Sequence, residues 1–224
     1  MFAIQGDLAK TDAQAIRLKN TLKEIKLLGI GGAILGGLGQ SSNTQTKSGV
    51  AGLMQIPFLG SVLGKTSIDN SDNARSLSIL FSFGKFQFLD CGDLTWNVEK
   101  KLVCPTDLIG QIDVFQVTHH GMDISNHPTL LKTIAPTVAV MNNSPTKGGS
   151  AATVKLLKSL PSLKALYALH KNAATSPDDN ADPALTANSD PAGVNYIKVS
   201  VAPDGSTFTV QIEGGGPAKR LESK

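Results

Sequence analysis

Three side chains, Asp93, His119 and His120, have the types and the spacing that metal chemistry needs. Asp93 lies in FLDCGDL, directly after an apolar run, and Gly92 allows the backbone to turn sharply there. The two histidines lie in IDVFQVTHHG, just past a second apolar run. The ends of two strands in one sheet bring such side chains to a common edge, where open α/β sheets bind ligands. Carboxylate oxygen and imidazole nitrogen together suit zinc, manganese or iron.

Each of these residues also has an ordinary interpretation when it is taken alone. An Asp after a strand commonly caps a turn, and a lone His commonly lies on the surface or in a satisfied core position. The combination of Gly-Asp after one strand with His-His-Gly after another favours a site over chance. Cys91, beside the Gly-Asp pair, is either a soft ligand or a buried free thiol.

The elements that must position these residues alternate between strands and helices, which indicates an α/β fold. Two apolar runs around Gly84-Lys85 predict a hairpin, and Pro203-Asp204-Gly205 predicts the turn of a second, closing hairpin. The predicted strands are Leu77–Phe83, Phe86–Cys91, Ile112–Val117, Val138–Met141, Leu166–Leu169, Asn195–Val201 and Thr207–Ile212, and the predicted helices are Pro128–Ile134 and one that Ser150 caps and that continues to Leu160.

The flanking segments are predicted as less regular parts of the chain. Apolar residues at helical spacing predict an amphipathic helix over residues 8–28, which glycines at 29, 31 and 32 end. Residues 171–193 are rich in Asn, Asp, Ala and Pro and predict a surface loop, and 213–224 predict a flexible tail. We therefore divide the 224 residues into an N-terminal extension, 1–67, an α/β region, 73–212, and the tail.

Composition excludes several classes of protein. Two cysteines form neither a disulfide framework nor a four-thiolate zinc site, and a net charge of +3 does not by itself indicate nucleic-acid binding. The longest apolar run, Leu27–Leu38, is too short to span a bilayer, so no transmembrane segment is expected. The N-terminal MFAIQGDLAK has no basic region ahead of an apolar run, so we expect a soluble chain without a secretory signal.

A family resemblance runs from Asn73 to about His170. NARSLSILFSFGKFQFLDCGD, IDVFQVTHHG, APTVAVMNN and KGGS resemble the C-terminal half of metallo-β-lactamase-superfamily hydrolases, in particular the hydrolase domain of DNA-uptake competence proteins. The resemblance implies one β-sheet half, with packed helices, of a four-layer αββα sandwich. It implies that Asp93 bridges two metal ions and that His119 or His120 is a terminal ligand. It also implies zinc or manganese as cofactor and a phosphoester or nucleic-acid substrate. Asn142 and Asn143 follow the next strand and are candidates to face the site, although an Asn at a strand end is more often a turn residue.

The departure from that family decides what activity we expect. The family's main metal-binding signature, His-x-His-x-Asp-His, does not occur in this sequence. Of the remaining histidines, His127 precedes a proline at a helix start, where a capping or surface role is favoured. His170 ends a strand and could reach the sheet edge, but a surface role is favoured there too. A catalytic zinc needs three protein ligands and one open position. We therefore expect an incomplete metal-dependent hydrolase, inactive as an isolated chain. The alternative is a non-catalytic remnant or assembly module from a truncated or fused reading frame.

Two further expectations concern partners and the N-terminal extension. A half-sandwich exposes one sheet face, which the N-terminal helix, a partner chain or self-association would have to cover. Residues 33–67, AILGGLGQSSNTQTKSGVAGLMQIPFLGSVLGKTS, weakly resemble the C-terminal signature of bacterial secretins. A Gly/Ser-rich linker with an apolar proline turn is the alternative for this segment.

Overall fold

A seven-stranded mixed sheet organises the chain. The computed structural model describes residues 24–28, as backbone, and 71–224. The strands follow one another in chain order from β1 to β7, the first three antiparallel and the rest parallel. They are β1 (Glu24–Leu28), β2 (Ser78–Phe83), β3 (Phe86–Asp90), β4 (Val114–Gln116), β5 (Val138–Met141), β6 (Ala165–His170) and β7 (Thr186–Asn188).

Helices cover one face of this sheet. They are α1 (Trp96–Glu99), α2 (Pro128–Ile134) and α3 (Ala151–Lys158), with short 3₁₀ segments at Asp72–Arg75, Lys100–Leu102, Thr118–Gly121, Pro177–Asp179 and Pro183–Leu185. The imidazole Nδ1 of His127 accepts the N–H of Thr129 at the start of α2, and Ser150 Oγ accepts the N–H of Thr153 in the first turn of α3. Apolar side chains of α2 and α3, such as Leu131 and Leu157, are fully buried against the sheet.

A second, three-stranded antiparallel sheet packs on the opposite face. Its strands are β8 (Ile197–Val201), β9 (Thr207–Ile212) and β10 (Lys219–Glu222), with β9 in the middle. Phe208 of this sheet lies against Phe86 of the first, with ring centroids 5.2 Å apart. The face for which we expected a partner chain or the N-terminal helix is thus packed against the C-terminal end of the same chain.

The predicted α/β class is confirmed, as are the β2–β3 and β8–β9 hairpins, α2 and the Ser150 cap of α3. The spacing of polar and apolar residues was enough to predict these elements because each packs one face on a large core. Among the residues that the structure describes, the helices are too short and too polar to cross a bilayer.

Three predictions about the flanks are wrong in part. Residues 24–28 form β1 rather than the end of a helix, because they pair with the open edge of β2 from Glu24↔Ser82 to Leu28↔Ser78. Residues 219–222 form β10 rather than a flexible tail, because they pair with β9 and bury Leu221. The loop 171–193 contains β7, which pairs with β6. Residues 8–23 of the expected helix and the whole segment 33–67 lie outside the described residues.

Candidate functional site

The structure brings Asp93, His119 and His120 together at one edge of the large sheet. Asp93 follows β3 and the histidines follow β4, its parallel neighbour. Asp93 Oδ2 lies 3.9 Å from Nε2 of His119, and Oδ1 lies 3.8 Å from Nε2 of His120. Each carboxylate oxygen therefore faces a different imidazole. His119 is buried, whereas the other two side chains are about one-third exposed, which gives the site a closed and an open side.

A tight turn after β3 directs Asp93 toward the histidines. Asp90 Oδ1 accepts the Gly92 N–H at 2.8 Å, and Gly92 takes the left-handed φ of +55° that favours glycine. The Gly92 carbonyl then accepts the His119 N–H at 2.9 Å, which ties this turn to the next one. Ser76 Oγ accepts the N–H of Asp93 at 3.2 Å. The pKa of Asp90 is raised by burial and, to a smaller extent, by the nearby charge of Asp93.

The two histidines lie on a strained turn. Both have positive φ, +53° for His119 and +56° for His120, a conformation that is uncommon for any residue with a side chain. Backbone bonds hold the turn in place: Gly149 N–H donates to the His120 carbonyl at 2.8 Å and Ser150 N–H to that of Gly121 at 2.9 Å. Strain of this kind persists where the surroundings over-determine the conformation, commonly at functional sites.

The orientation of the His120 ring is set by a backbone carbonyl. Its Nδ1 lies 2.7 Å from the carbonyl oxygen of Asn142, at the end of β5. Because a carbonyl only accepts hydrogen bonds, Nδ1 must carry the proton. In the neutral ring Nε2, the nitrogen facing Asp93, is therefore bare and able to bind a metal ion. Nδ1 of His119 has a different partner, Ser125 Oγ, at 3.2 Å.

The two asparagines predicted to face a substrate differ in what they contact. Asn142 contributes its carbonyl to the His120 ring. The Asn143 side chain instead bridges β5 to β6: its Nδ2 donates to the His170 carbonyl at 2.7 Å and its Oδ1 accepts the His170 N–H at 3.3 Å. The Asn143 amide thus links the ends of β5 and β6. This geometry fits a structural role rather than the predicted substrate-binding role.

His127 and the nearby cysteine have structural roles. His127 caps α2 and packs edge-on against Trp96, with centroids 5.0 Å apart. Its pKa is lowered by burial and by the charge of Lys100. Cys91 is a fully buried free thiol whose pKa is strongly raised by burial. A thiol that holds its proton is a poor ligand, so the structure favours the interpretation of Cys91 as a core residue.

Sequence reasoning missed Glu99, a carboxyl with no solvent exposure at the end of α1. Its Oε2 accepts the N–H of His127 at 2.7 Å and so joins α1 to the start of α2. Burial raises the pKa of Glu99 to about 7, against a partial offset from backbone N–H groups of His127 and Asn126. In the sequence, Glu99 precedes Lys100-Lys101, and such a run is typical of a solvated surface.

The donor set fits a metal ion in kind and in orientation but not in number. Within the described ranges, 24–28 and 71–224, no group of three or more His, Cys, Asp or Glu side chains is placed to hold one ion. Asp93 instead forms two oxygen–nitrogen pairs, one with each histidine. A catalytic zinc needs three protein ligands. These residues therefore make at most half of a catalytic centre, and no reaction step follows from them alone.

No protein-family model matches this chain, and no curated protein matches it significantly. The chemistry of the site must therefore be argued from its residues.

Proposed function

We propose that residues 73–212 are the C-terminal half of a metallo-β-lactamase-like hydrolase and that Asp93, His119 and His120 contribute part of its metal centre. One observation carries the proposal: the two imidazole Nε2 atoms converge on the two oxygens of a single carboxylate at the ends of parallel strands. The resemblance of the Gly-Asp, His-His-Gly and Lys-Gly-Gly-Ser segments to that superfamily supports it.

Each residue has a role that follows from its position. Asp93 presents one oxygen to each imidazole, which suits a carboxylate that bridges two ions. His119 closes the buried side of the site and His120 the open side. A bound zinc or manganese ion would supply Lewis acidity and an activated water. With two donors per ion, we expect weak metal binding and no efficient hydrolysis unless further ligands come from outside the described residues. A phosphoester or nucleic-acid substrate follows from the resemblance alone.

A second candidate function is a non-catalytic module, and a specific observation favours it. Within the described residues no three metal-binding side chains are placed around one ion. A chain that has lost metal binding would keep the sheet and its packing, because both cores are independent of the three candidate ligands. Metal binding itself therefore distinguishes the two candidates.

The test is the affinity of the purified chain for Zn²⁺ and Mn²⁺, measured by isothermal titration calorimetry. We expect Asp93→Asn to weaken binding by about 100-fold or more, since even the loss of an outer-shell partner costs about 10–100-fold. Asp190→Asn removes the same charge from an exposed loop and should leave the affinity unchanged. If Asp93→Asn binds the metal as tightly as the unaltered chain does, the non-catalytic module remains as the function. The same conclusion follows if the unaltered chain binds no metal.

A further inference from the structure

Ser125 lies between the two turns that carry the site. The residue is 1% exposed. Its hydroxyl donates to the carbonyl of Leu94, next to Asp93, at 2.6 Å, and lies 3.2 Å from Nδ1 of His119. One oxygen atom thus contacts both the Asp-bearing turn and the buried imidazole. The sequence does not mark this serine, because MDISNHP is typical of an ordinary loop.

The direction of the two hydrogen bonds follows from counting protons. A serine hydroxyl has one proton to donate. The Leu94 carbonyl only accepts, so the short bond to it uses that proton. Toward His119 the hydroxyl can then only accept, and Nδ1 of the ring must carry a hydrogen. The neutral ring of His119 is therefore bare at Nε2, the nitrogen that faces Asp93.

The distances to Asp93 agree with this assignment. An N–H group and a carboxylate form a hydrogen bond at about 2.7–3.2 Å. Nε2 of His119 and of His120 lie 3.9 and 3.8 Å from the Asp93 oxygens, outside that range. Neither imidazole therefore forms a hydrogen bond with Asp93.

The hydroxyl cannot easily turn away from these partners because its backbone is fixed on both sides. Trp96 N–H donates to the carbonyl of Ile124 at 3.0 Å, and the Trp96 indole Nε1 donates to the carbonyl of Ser125 at 2.6 Å. Ser125 N–H itself donates to the carbonyl of Met122. The serine is thus bound to the segment after Asp93 by backbone and side chain together.

We propose that Ser125 is a positioning residue that holds His119 in the Nδ1–H tautomer and so keeps its Nε2 open toward Asp93. Ser125 faces Nδ1 of the neutral His119 ring, and Asp93 faces Nε2. Removing the hydroxyl takes away the acceptor at Nδ1 and leaves Asp93 in place at Nε2. The proton then moves to Nε2, the ring closes onto the carboxylate and the site loses a ligand. The role in metal binding rests on the proposed function, whereas the tautomer does not.

The experiment reads the tautomer directly. Long-range ¹H–¹⁵N correlation spectra of the metal-free chain, recorded at about pH 8 where an ordinary imidazole is neutral, report which ring nitrogen of His119 is protonated. We expect Nδ1–H in the unaltered chain and a shift of at least tenfold toward Nε2–H in Ser125→Ala. Ser78→Ala is the matched control, since Ser78 is equally buried and its hydroxyl forms no hydrogen bond with either histidine. It should leave the His119 spectrum unchanged.

A second variant keeps the test informative if Ser125→Ala does not fold. Ser125→Cys replaces the hydroxyl with a slightly larger thiol, which fills the space but is a weak acceptor, so it should shift the tautomer in the same direction by a smaller factor. Zn²⁺ affinity should fall about 10–100-fold in Ser125→Ala if the ligand role is real. An unchanged His119 tautomer in both Ser125 variants overturns the proposal. A changed tautomer in a chain that never binds metal contradicts the proposed function alone.

Discussion

Replacing Gly148 with alanine should cost about 3 kcal/mol or more of the free energy of unfolding. Gly148 has φ of +82°, and a Cβ placed on it would overlap the carbonyl oxygen and the Cβ of His120. That same carbonyl accepts the N–H of Gly149. The turn with the two histidines and the turn before α3 therefore approach as closely as backbone atoms allow, and any side chain at 148 must push them apart. Urea denaturation measures the loss.

The chain offers a control that separates backbone strain from the steric contact. Gly110 has a similar φ of +78°, but a Cβ there meets nothing within 4 Å. Gly110→Ala should therefore cost only the strain of a left-handed alanine, about 1–2 kcal/mol. If the two variants lose equal stability, the contact with His120 contributes nothing, and the Lys-Gly-Gly-Ser segment does not hold the histidine turn.

The position of the three candidate ligands could be predicted because topology alone constrains it. Parallel neighbouring strands end at the same edge, so residues directly after β3 and β4 have to meet. The sequence left open which histidine would be the metal ligand, and in the structure both face Asp93, one on each oxygen. Two consecutive residues reach the same carboxylate because both take a positive φ, and no periodicity in the sequence indicates that conformation.

The elements that sequence reasoning missed depend on contacts between distant parts of the chain. A short segment such as EIKLL is compatible with a helix or a strand, and the free edge of β2 decides in favour of β1. The segment KRLE has a single apolar residue, yet β10 forms because Leu221 is buried between the two sheets. Asn143 was predicted at the site from its position after a strand, but His170, 27 residues away, holds its amide in the sheet.

Glu99 should make the protein less stable as the pH rises from about 4.5 to about 7. The ordinary pKa of this carboxyl is 4.5, which describes the unfolded chain, and in the fold it is about 7. Between these values the folded protein keeps a proton that the unfolded chain has released. The free energy of unfolding therefore falls as the pH rises across this window. Each unit of pKa difference corresponds to about 1.36 kcal/mol, so the total fall is about 3 kcal/mol. Above about pH 7 the contribution of Glu99 no longer changes with pH.

Glu99→Gln isolates that contribution, because glutamine keeps the size and an acceptor for the His127 N–H but does not titrate. Buried groups such as Asp90 and Asp113, whose pKa values burial also raises, remain in both proteins and cancel in the difference. The stability of Glu99→Gln relative to the unaltered chain should rise by about 3 kcal/mol between pH 5 and pH 8. Urea denaturation at a series of pH values measures it.

An exposed carboxyl provides the comparison for this experiment. Glu222 in β10 faces solvent, so Glu222→Gln should change stability by less than about 0.5 kcal/mol at every pH. If the stability of Glu99→Gln relative to the unaltered chain is equally independent of pH, Glu99 is ionised in the folded protein at neutral pH. Its negative charge would then have to be balanced in the interior by the N–H groups of His127 and Asn126 and by the Thr118 hydroxyl. A downward trend for Glu99→Gln relative to the unaltered chain would mean that the fold favours the charged carboxylate, the opposite of what its complete burial predicts.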